Sequence, residues 1–332
     1  MKTALFYLLA LPLACCLFTA CGSDDDEDSA NVVISDDGKA SNGMKYVAID
    51  DNNFYLDNVM YTVESGHIAV SGFEKNSFKG EADIPASITY KGSHYDVAAI
   101  APSAFTYCQA LIAVDIPTSV TTIGSYAFYY CSSLANLNIP STITTIGDNA
   151  FAGCSGLTSI KVDKDNAHYD SRDGCNAIID TKTNTLIAGC RNTIIPATVT
   201  AIGKRAFAHC ASLKTLTVPG SVTTIGNSAY YECSGLTTAV IGNAVTTIGD
   251  GAFYACTSLT AISLGTNVTT IGNGVFDRCD RLEEIHCKSL TPPTILNNTF
   301  PYLSATLYVP KGTKQAYQSA DVWRNFTNIV EE

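Results

Sequence analysis

The chain is poor in charge and in cations above all: 15% of its 332 residues are Asp, Glu, Lys or Arg, with 20 basic residues against 31 acids. Nucleic acid is excluded as a partner, because phosphate backbones are bound by clustered Lys and Arg and no such stripe exists here. Anionic membrane surfaces are disfavoured for the same reason. Histidine is scarce too. His67, His94, His168, His209 and His286 are scattered without metal-ligand spacing. The chain also lacks a Gly-x-Ser-x-Gly elbow, a phosphate-binding loop, a His-Glu-x-x-His pair and a paired-cysteine zinc motif. The pattern therefore points to no catalytic residue, no cofactor and no metal. Asp163, Asp165, Asp170 and Asp173 cluster in sequence, but their spacing is not that of a calcium loop.

No apolar run is long enough for a bilayer-spanning helix, which needs roughly 20 residues. The run from Ala4 to Ala14 follows Lys2 and precedes Thr19-Ala20, so residues 1–20 read as a secretory signal. Phe-Thr-Ala-Cys at 18–21 resembles a bacterial lipobox, with Phe18 where Leu is usual, and makes Cys21 the expected lipidation site. Five consecutive acids, Asp24 to Asp28, follow it and resemble a surface-export signal; a solvated acidic spacer is the alternative. Loss of Lys2 with the leader shifts the formal net charge from −11 to −12. Residues 21–43 read as a flexible acidic tether, and the expected location is the outer-membrane surface.

What the chain has is repetition. Ile-Gly recurs at 123, 146, 202, 225, 248 and 271, a spacing of 23 residues with one step of 56. Cys108, Cys131, Cys154, Cys210, Cys233, Cys256 and Cys279 keep the same phase and break at the same place, by 33 residues. Such a period marks a solenoid whose coils bury apolar side chains against one another. Of 13 cysteines, ten lie beyond Cys21. Those in phase read as a ladder of buried thiols, because in-register side chains fit a disulfide torsion poorly. Cys287 stands where other coils place Ile139, Val162, Val218 or Leu264, so it also reads as core.

One unit runs Leu134-x-x-Leu137-x-Ile139-Pro140-x-x-Ile143-x-x-Ile146-Gly147-x-x-Ala150-Phe151-x-x-Cys154. Leu137 and Ile139 have strand spacing, Pro140 ends the strand, and Ile-Gly reads as a corner whose glycine takes positive φ. Ala-Phe-x-x-Cys reads as a helical or 3₁₀ turn. This pattern closely resembles the BspA-type leucine-rich repeat over roughly residues 82–290, with Tyr230 for Phe, Gly242 and Gly265 for Pro, and Val275-Phe276 for Ala-Phe. The fold class expected is a β-rich leucine-rich-repeat solenoid of short parallel strands. The resemblance implies a non-catalytic surface protein that binds macromolecules in adhesion to host or bacterial surfaces. The alternative is a glycan-binding surface lipoprotein for nutrient capture.

The organisation expected is an N-terminal β cap over residues 44–98, a solenoid over 99–290 with an insertion at 161–193, and a C-terminal cap over 291–332. Inside the insertion, Thr181 to Asn184 read as a hairpin loop with Asp180 opposite Thr185, which places Cys175 opposite Cys190 as the one candidate disulfide. Lys314 to Phe326 reads as a helix covering the last coil, with Trp323 inward.

Two surfaces are candidates for binding. One is the outward strand face, mild and Thr-rich, with Asn136, Asn138, Lys161, Lys214, Thr215 and Thr237; solvated strand formers are the plain alternative. The other is the row of tyrosines before each cysteine, Tyr107, Tyr129, Tyr130, Tyr231 and Tyr254, read either as a stacking patch or as half-buried corner residues.

Overall fold

The computed structural model describes residues 31–75, 78, 80–296, 298–300 and 303–332. The leader, Cys21 and the acidic run lie outside the described residues. Each coil lays three backbone segments parallel to those of the next. In the coil that begins at Leu134, the first is the strand Asn136–Ile139, which turns Leu137 and Ile139 inward and Asn136 and Asn138 outward. The second is the corner strand Thr145–Ile146, paired with Thr122–Ile123. Corner pairing resumes at Thr185–Gly189 and continues coil by coil through Thr294–Ile295. On the strand side the ladder runs unbroken from Thr215–Thr217 to Asn328–Glu331.

The third segment is the turn side. Its bonds from residue i to i−3 are those of a 3₁₀ turn, as in Cys131 N–H to Phe128 O at 3.2 Å. It does not wind into a helix, because left-handed residues recur four apart: Tyr126 and Tyr130, Arg205 and His209, Ser228 and Glu232. Alternate amides thereby point out of the coil and bond the next one, as Phe128 N–H does to Ala150 O at 2.8 Å. Each non-glycine residue held there costs about 1 kcal/mol or more, and the inter-coil bonds offset it.

The Ile-Gly glycine has a different reason from the one expected. Its φ is not positive; it is required because a Cβ on Gly147 would lie 2.3 Å from Ser125 N, and one on Gly124 2.4 Å from Pro102 N. Neighbouring coils touch backbone to backbone at this corner, and only glycine leaves room. The other columns fill the interior by the same register. Phe105, Phe128 and Phe151 stack at 5.3 and 5.4 Å, and Phe207, Tyr230, Phe253, Phe276 and Phe300 at 5.0 to 5.8 Å. Burying each ring contributes about 2 to 3 kcal/mol. The in-phase cysteines are free and buried. The thiols of Cys131, Cys154, Cys233 and Cys279 each donate to the aromatic residue's carbonyl one coil back at 3.1 Å, so the column is small, apolar and weakly bonded at once.

The insertion is a wall across the solenoid. Strands Ala177–Asp180 and Thr185–Gly189 pair antiparallel with Asp180 opposite Thr185, as the loop spacing predicts, but the register shifts between Ile178 and Ile179. Alternation and this bulge give the hairpin two apolar faces: Ile178, Ala188 and Cys190 join the core of the preceding coils, while Cys175, Ala177, Ile179 and Leu186 join that of the following ones. The expected Cys175–Cys190 bridge is therefore not formed. The bulge moves the partners out of register, and the two free thiols belong to opposite cores.

At the N-terminus the folded part begins earlier than the composition indicates. Asn31–Val33 pairs with Ser87–Tyr90 and buries Val32, so residues 31–43 belong to the cap and not to a tether. At the other end the ladder outlives the sequence period: Thr306–Val309 pairs with Glu284–Cys287, and Asn328–Glu331 adds one more strand. The covering helix is shorter than expected, Lys314–Ser319, followed by a 3₁₀ turn at Trp323–Asn325, because Ala320 is extended and Val322 is left-handed. Trp323 is fully buried, with its indole N–H on Pro293 O at 2.7 Å.

Two predictions follow from the packing of the coils. Gly147→Ala should cost about 3 kcal/mol or more, through a backbone clash, whereas Gly251→Ala should cost about 1 kcal/mol. Gly251 is left-handed, but its Cβ would meet nothing closer than 3.6 Å. Urea unfolding of both variants tests this; equal losses would return the corner glycine to a dihedral role. The second concerns alkali. Burial pushes the Cys210 thiol up to about 12 and that of Cys233 well above its usual value. A raised folded-state pKa means that the stabilisation is complete below the unfolded value near pH 9 and is lost as pH rises toward about 12. The urea midpoint should hold to about pH 9 and fall beyond it; a flat profile to pH 11 (~two units above that onset) would contradict the buried-thiol ladder.

Candidate functional site

The strand-face candidates do not form one patch. Asn136, Asn138 and Lys161 lie exposed on the pair Asn136–Ile139 and Ser159–Val162. Lys214 and Thr215 are exposed and Thr237 half-buried, at the start of the six-stranded ladder beyond the hairpin. Much of the threonine hydroxyl capacity is already engaged by the fold. Thr237 Oγ1 donates to Lys214 O at 2.9 Å, and Thr158, Thr223, Thr246, Thr260 and Thr269 repeat that bond to the preceding coil.

The turn side brings the tyrosines together. Tyr107 stacks on Tyr130 at 5.2 Å and meets Tyr129 edge-on at 5.6 Å; Tyr231 and Tyr254 stack at 4.9 Å with their planes 4° apart. His209 joins the two groups, 4.4 Å from the Tyr130 ring and 5.4 Å from Tyr231. Arg278 closes the row over Tyr254 at 5.5 Å. Tyr130 reaches across Gly153, where a Cβ would lie 2.9 Å from the ring, so the missing side chain in that coil lets the row continue. Exposure differs along it: Tyr107 is 59% exposed and Tyr126 39%, while Tyr129, Tyr130, Tyr231 and Tyr254 are half-buried. The tyrosines thus stack on one another, with Tyr129, Tyr130, Tyr231 and Tyr254 half-buried at the corner and Tyr107 exposed.

Tyr126, Arg205 and His209 are residues that motif reasoning passes over. His209 has no metal-ligand neighbour, yet it occupies the register of Tyr107 and Tyr130, one residue before the cysteine. Its Nδ1 lies 3.1 Å from Glu232, and its Nε2 lies 2.6 Å from Tyr130 Oη. A neutral ring donating from Nδ1 to the carboxylate leaves Nε2 to accept the tyrosine proton. Burial lowers the His209 pKa, with Glu232 opposing it. Of the acids of the insertion, Asp170 takes Arg172 in a 2.6 Å ion pair and Asp165 takes Lys164.

The Tyr130–His209 bond spans the hairpin wall, so Tyr130→Phe should cost about 1 kcal/mol near neutral pH. A lowered histidine pKa stabilises above the unfolded value and is lost as pH falls through the folded one. The gap between wild type and Tyr130→Phe should thus close as pH falls below the ordinary histidine range; a gap that persists at acid pH would show that Nε2 is not the acceptor.

The sequence matches the model of the BspA type leucine rich repeat region in six copies, over residues 72–172 and 185–306. No curated protein matches it. Among solved structures, it is similar to a leucine rich cell surface protein from Faecalibacterium prausnitzii, at 19% identity and a TM-score of 0.49, covering 86% of this chain and 96% of that one. It is also similar to the pneumococcal vaccine antigen PcpA, at 16% identity and 0.45, covering 86% and 100%. A leucine rich repeat protein of T. pallidum shares 24% identity, with a TM-score of 0.38 and coverage of 73% and 89%. With six matched repeats spanning both sides of the hairpin, the chain belongs to the BspA-type leucine-rich-repeat family.

Proposed function

We propose that this protein is an exported lipoprotein, anchored at Cys21 and displayed on the outer-membrane surface, whose solenoid is a non-catalytic adhesion module for proteins of host or bacterial surfaces. Repeats of this family generally serve protein binding, which supports the general class. The observation that carries the reading is the aromatic row from Tyr107 to Tyr254, fixed on a hydrogen-bonded ladder and running across successive coils. Tyrosines held rigidly at partial exposure are the residues that protein interfaces use as anchors, since little side-chain entropy remains to be lost.

The same rings favour protein over glycan capture. Sugar stacking needs an open ring face, and here Tyr231 and Tyr254 cover one another while Tyr107 lies against Tyr130. Edges and hydroxyls are what the row offers. For location, the leader, the lipobox-like stretch and the acidic run support export and anchoring.

Two measurements test the reading. Protease shaving of intact cells should remove the protein while a periplasmic control survives; protection until lysis would sink surface display. Tyr107→Ala and Tyr254→Ala should each weaken binding to extracellular-matrix proteins or partner cells by about tenfold or more, with the melting temperature of Tyr107→Ala unchanged. Undiminished binding in both variants would remove the turn side as the contact surface.

A further inference from the structure

The hairpin opens a cleft of about 240 Å³ in the solenoid wall, bounded by the coil at 146–152, the hairpin at 185–188 and the coil at 203–206. Its origin is a missed rung. In other coils the residue two after the corner glycine donates its amide to the next coil, as Tyr126 does to Asp148 O at 3.0 Å and Arg205 to Asn227 O at 3.1 Å. Asn149 holds that position before the hairpin and Arg205 the equivalent one after it. Between them the Asn149 rung is absent among the described residues, and the next one, from Phe151 N–H, has lost its acceptor because Gly189 N–H has taken Ala206 O at 2.8 Å; only the corner bond, Gly203 N–H to Leu186 O at 2.8 Å, persists. The ladder closes again only at Gly153 N–H to Ala208 O, 3.2 Å.

Two side-chain atoms are stranded at this opening. Asn149 Oδ1 and Arg205 Nε are both shielded from solvent and without a hydrogen-bond partner among the described residues. Arg205 makes one long bond, Nη1 to Tyr129 Oη at 3.4 Å, and no carboxylate lies within ion-pair distance of it among the described residues. A buried guanidinium N–H and a buried amide oxygen left open cost about 1 to 3 kcal/mol each. A turn of either side chain into the cleft it lines would relieve them, Arg205 by an acceptor there and Asn149 by a donor. Lys204 and Arg205 line the cleft against the single acid Asp148, in a chain of net charge −11, so the acceptor that fits is anionic. The donor that fits is neutral, because an ammonium would sit beside two cations. Phe151 and Ile187 supply apolar wall.

We propose that this cleft binds a small hydroxylated carboxylate of the sugar-acid class, its carboxylate on Arg205 and a hydroxyl on Asn149. The site adjoins the tyrosine row through Arg205, which bonds Tyr129, but does not rest on the adhesion reading. The test is saturation-transfer NMR on the purified full chain with D-glucuronate and D-galacturonate, and with D-glucose as the neutral control. Asn149→Gly and Arg205→Ser suit the left-handed backbone, since Gly251 and Gly274 or Ser103 and Ser228 stand at that position in other coils. At least one uronate should give saturation transfer while glucose gives none. Both variants should weaken that binding by about tenfold or more, whereas Ser228→Gly, one coil on, should leave it unchanged. Silence from both uronates at millimolar concentration, an equal signal from glucose, or binding that survives Arg205→Ser would each overturn the assignment. Melting temperatures identify a variant that fails to fold; binding lost in Asn149→Gly at unaltered stability keeps the test decisive in that case.

Discussion

Everything in this molecule depends on how closely one coil lies on the next. Parallel strands stack about 4.8 Å apart, and at the Ile-Gly corner the backbones come nearer than a methyl group allows, with a Cβ on Gly147 falling 2.3 Å from Ser125 N. That spacing sets the residue type in each column. It asks for glycine at the corner, a ring that stacks on its counterpart at Phe105 and Phe128, and a thiol small enough to reach a carbonyl one coil back. Threonines on the faces bind the preceding coil rather than solvent. A sequence with so few charges folds because its polar bonds are made between coils.

At the hairpin this spacing fails, and Tyr130, His209, Arg205 and Asn149 gather around it. It divides the apolar interior in two, lending Ile178, Ala188 and Cys190 to one side and Cys175, Ala177, Ile179 and Leu186 to the other. Where it intrudes, the turn-side ladder parts, and Tyr130, His209, Tyr129 and Arg205 bridge the gap by side chains instead of backbone. The aromatic row therefore serves two ends: it ties the halves of the solenoid together and presents Tyr107 and Tyr126 outward.

The repeat made the fold legible. Period 23, strand spacing at Leu137 and Ile139, and the in-phase cysteines lead directly to the solenoid, the free thiols and the inward Trp323. Three things were not legible, each for a physical reason. Glycine at 124 and 147 signals either positive φ or close approach, and one sequence does not separate them. The bulge at Ile178 and Ile179 shifts a hairpin by one residue without a glycine or proline to mark it, which is enough to send Cys175 and Cys190 to opposite cores. Strand Asn31–Val33 follows an acidic run that composition assigns to solvent, yet Val32 is completely buried. As for the site, the tyrosines were visible as a column, but His209, Asn149 and Arg205 gain meaning only from the coils on either side of the break.

Amide hydrogen exchange in the native state tests this account most directly, because it reads the inter-coil rungs one at a time. Tyr126 and Phe128, whose N–H groups bond the next coil at 3.0 and 2.8 Å, should be strongly protected. Asn149 and Phe151, the same positions one coil later, should exchange far faster. Equal protection at all four would mean that the ladder runs unbroken past the hairpin, and that neither the cleft nor the side-chain bridge over it exists as described.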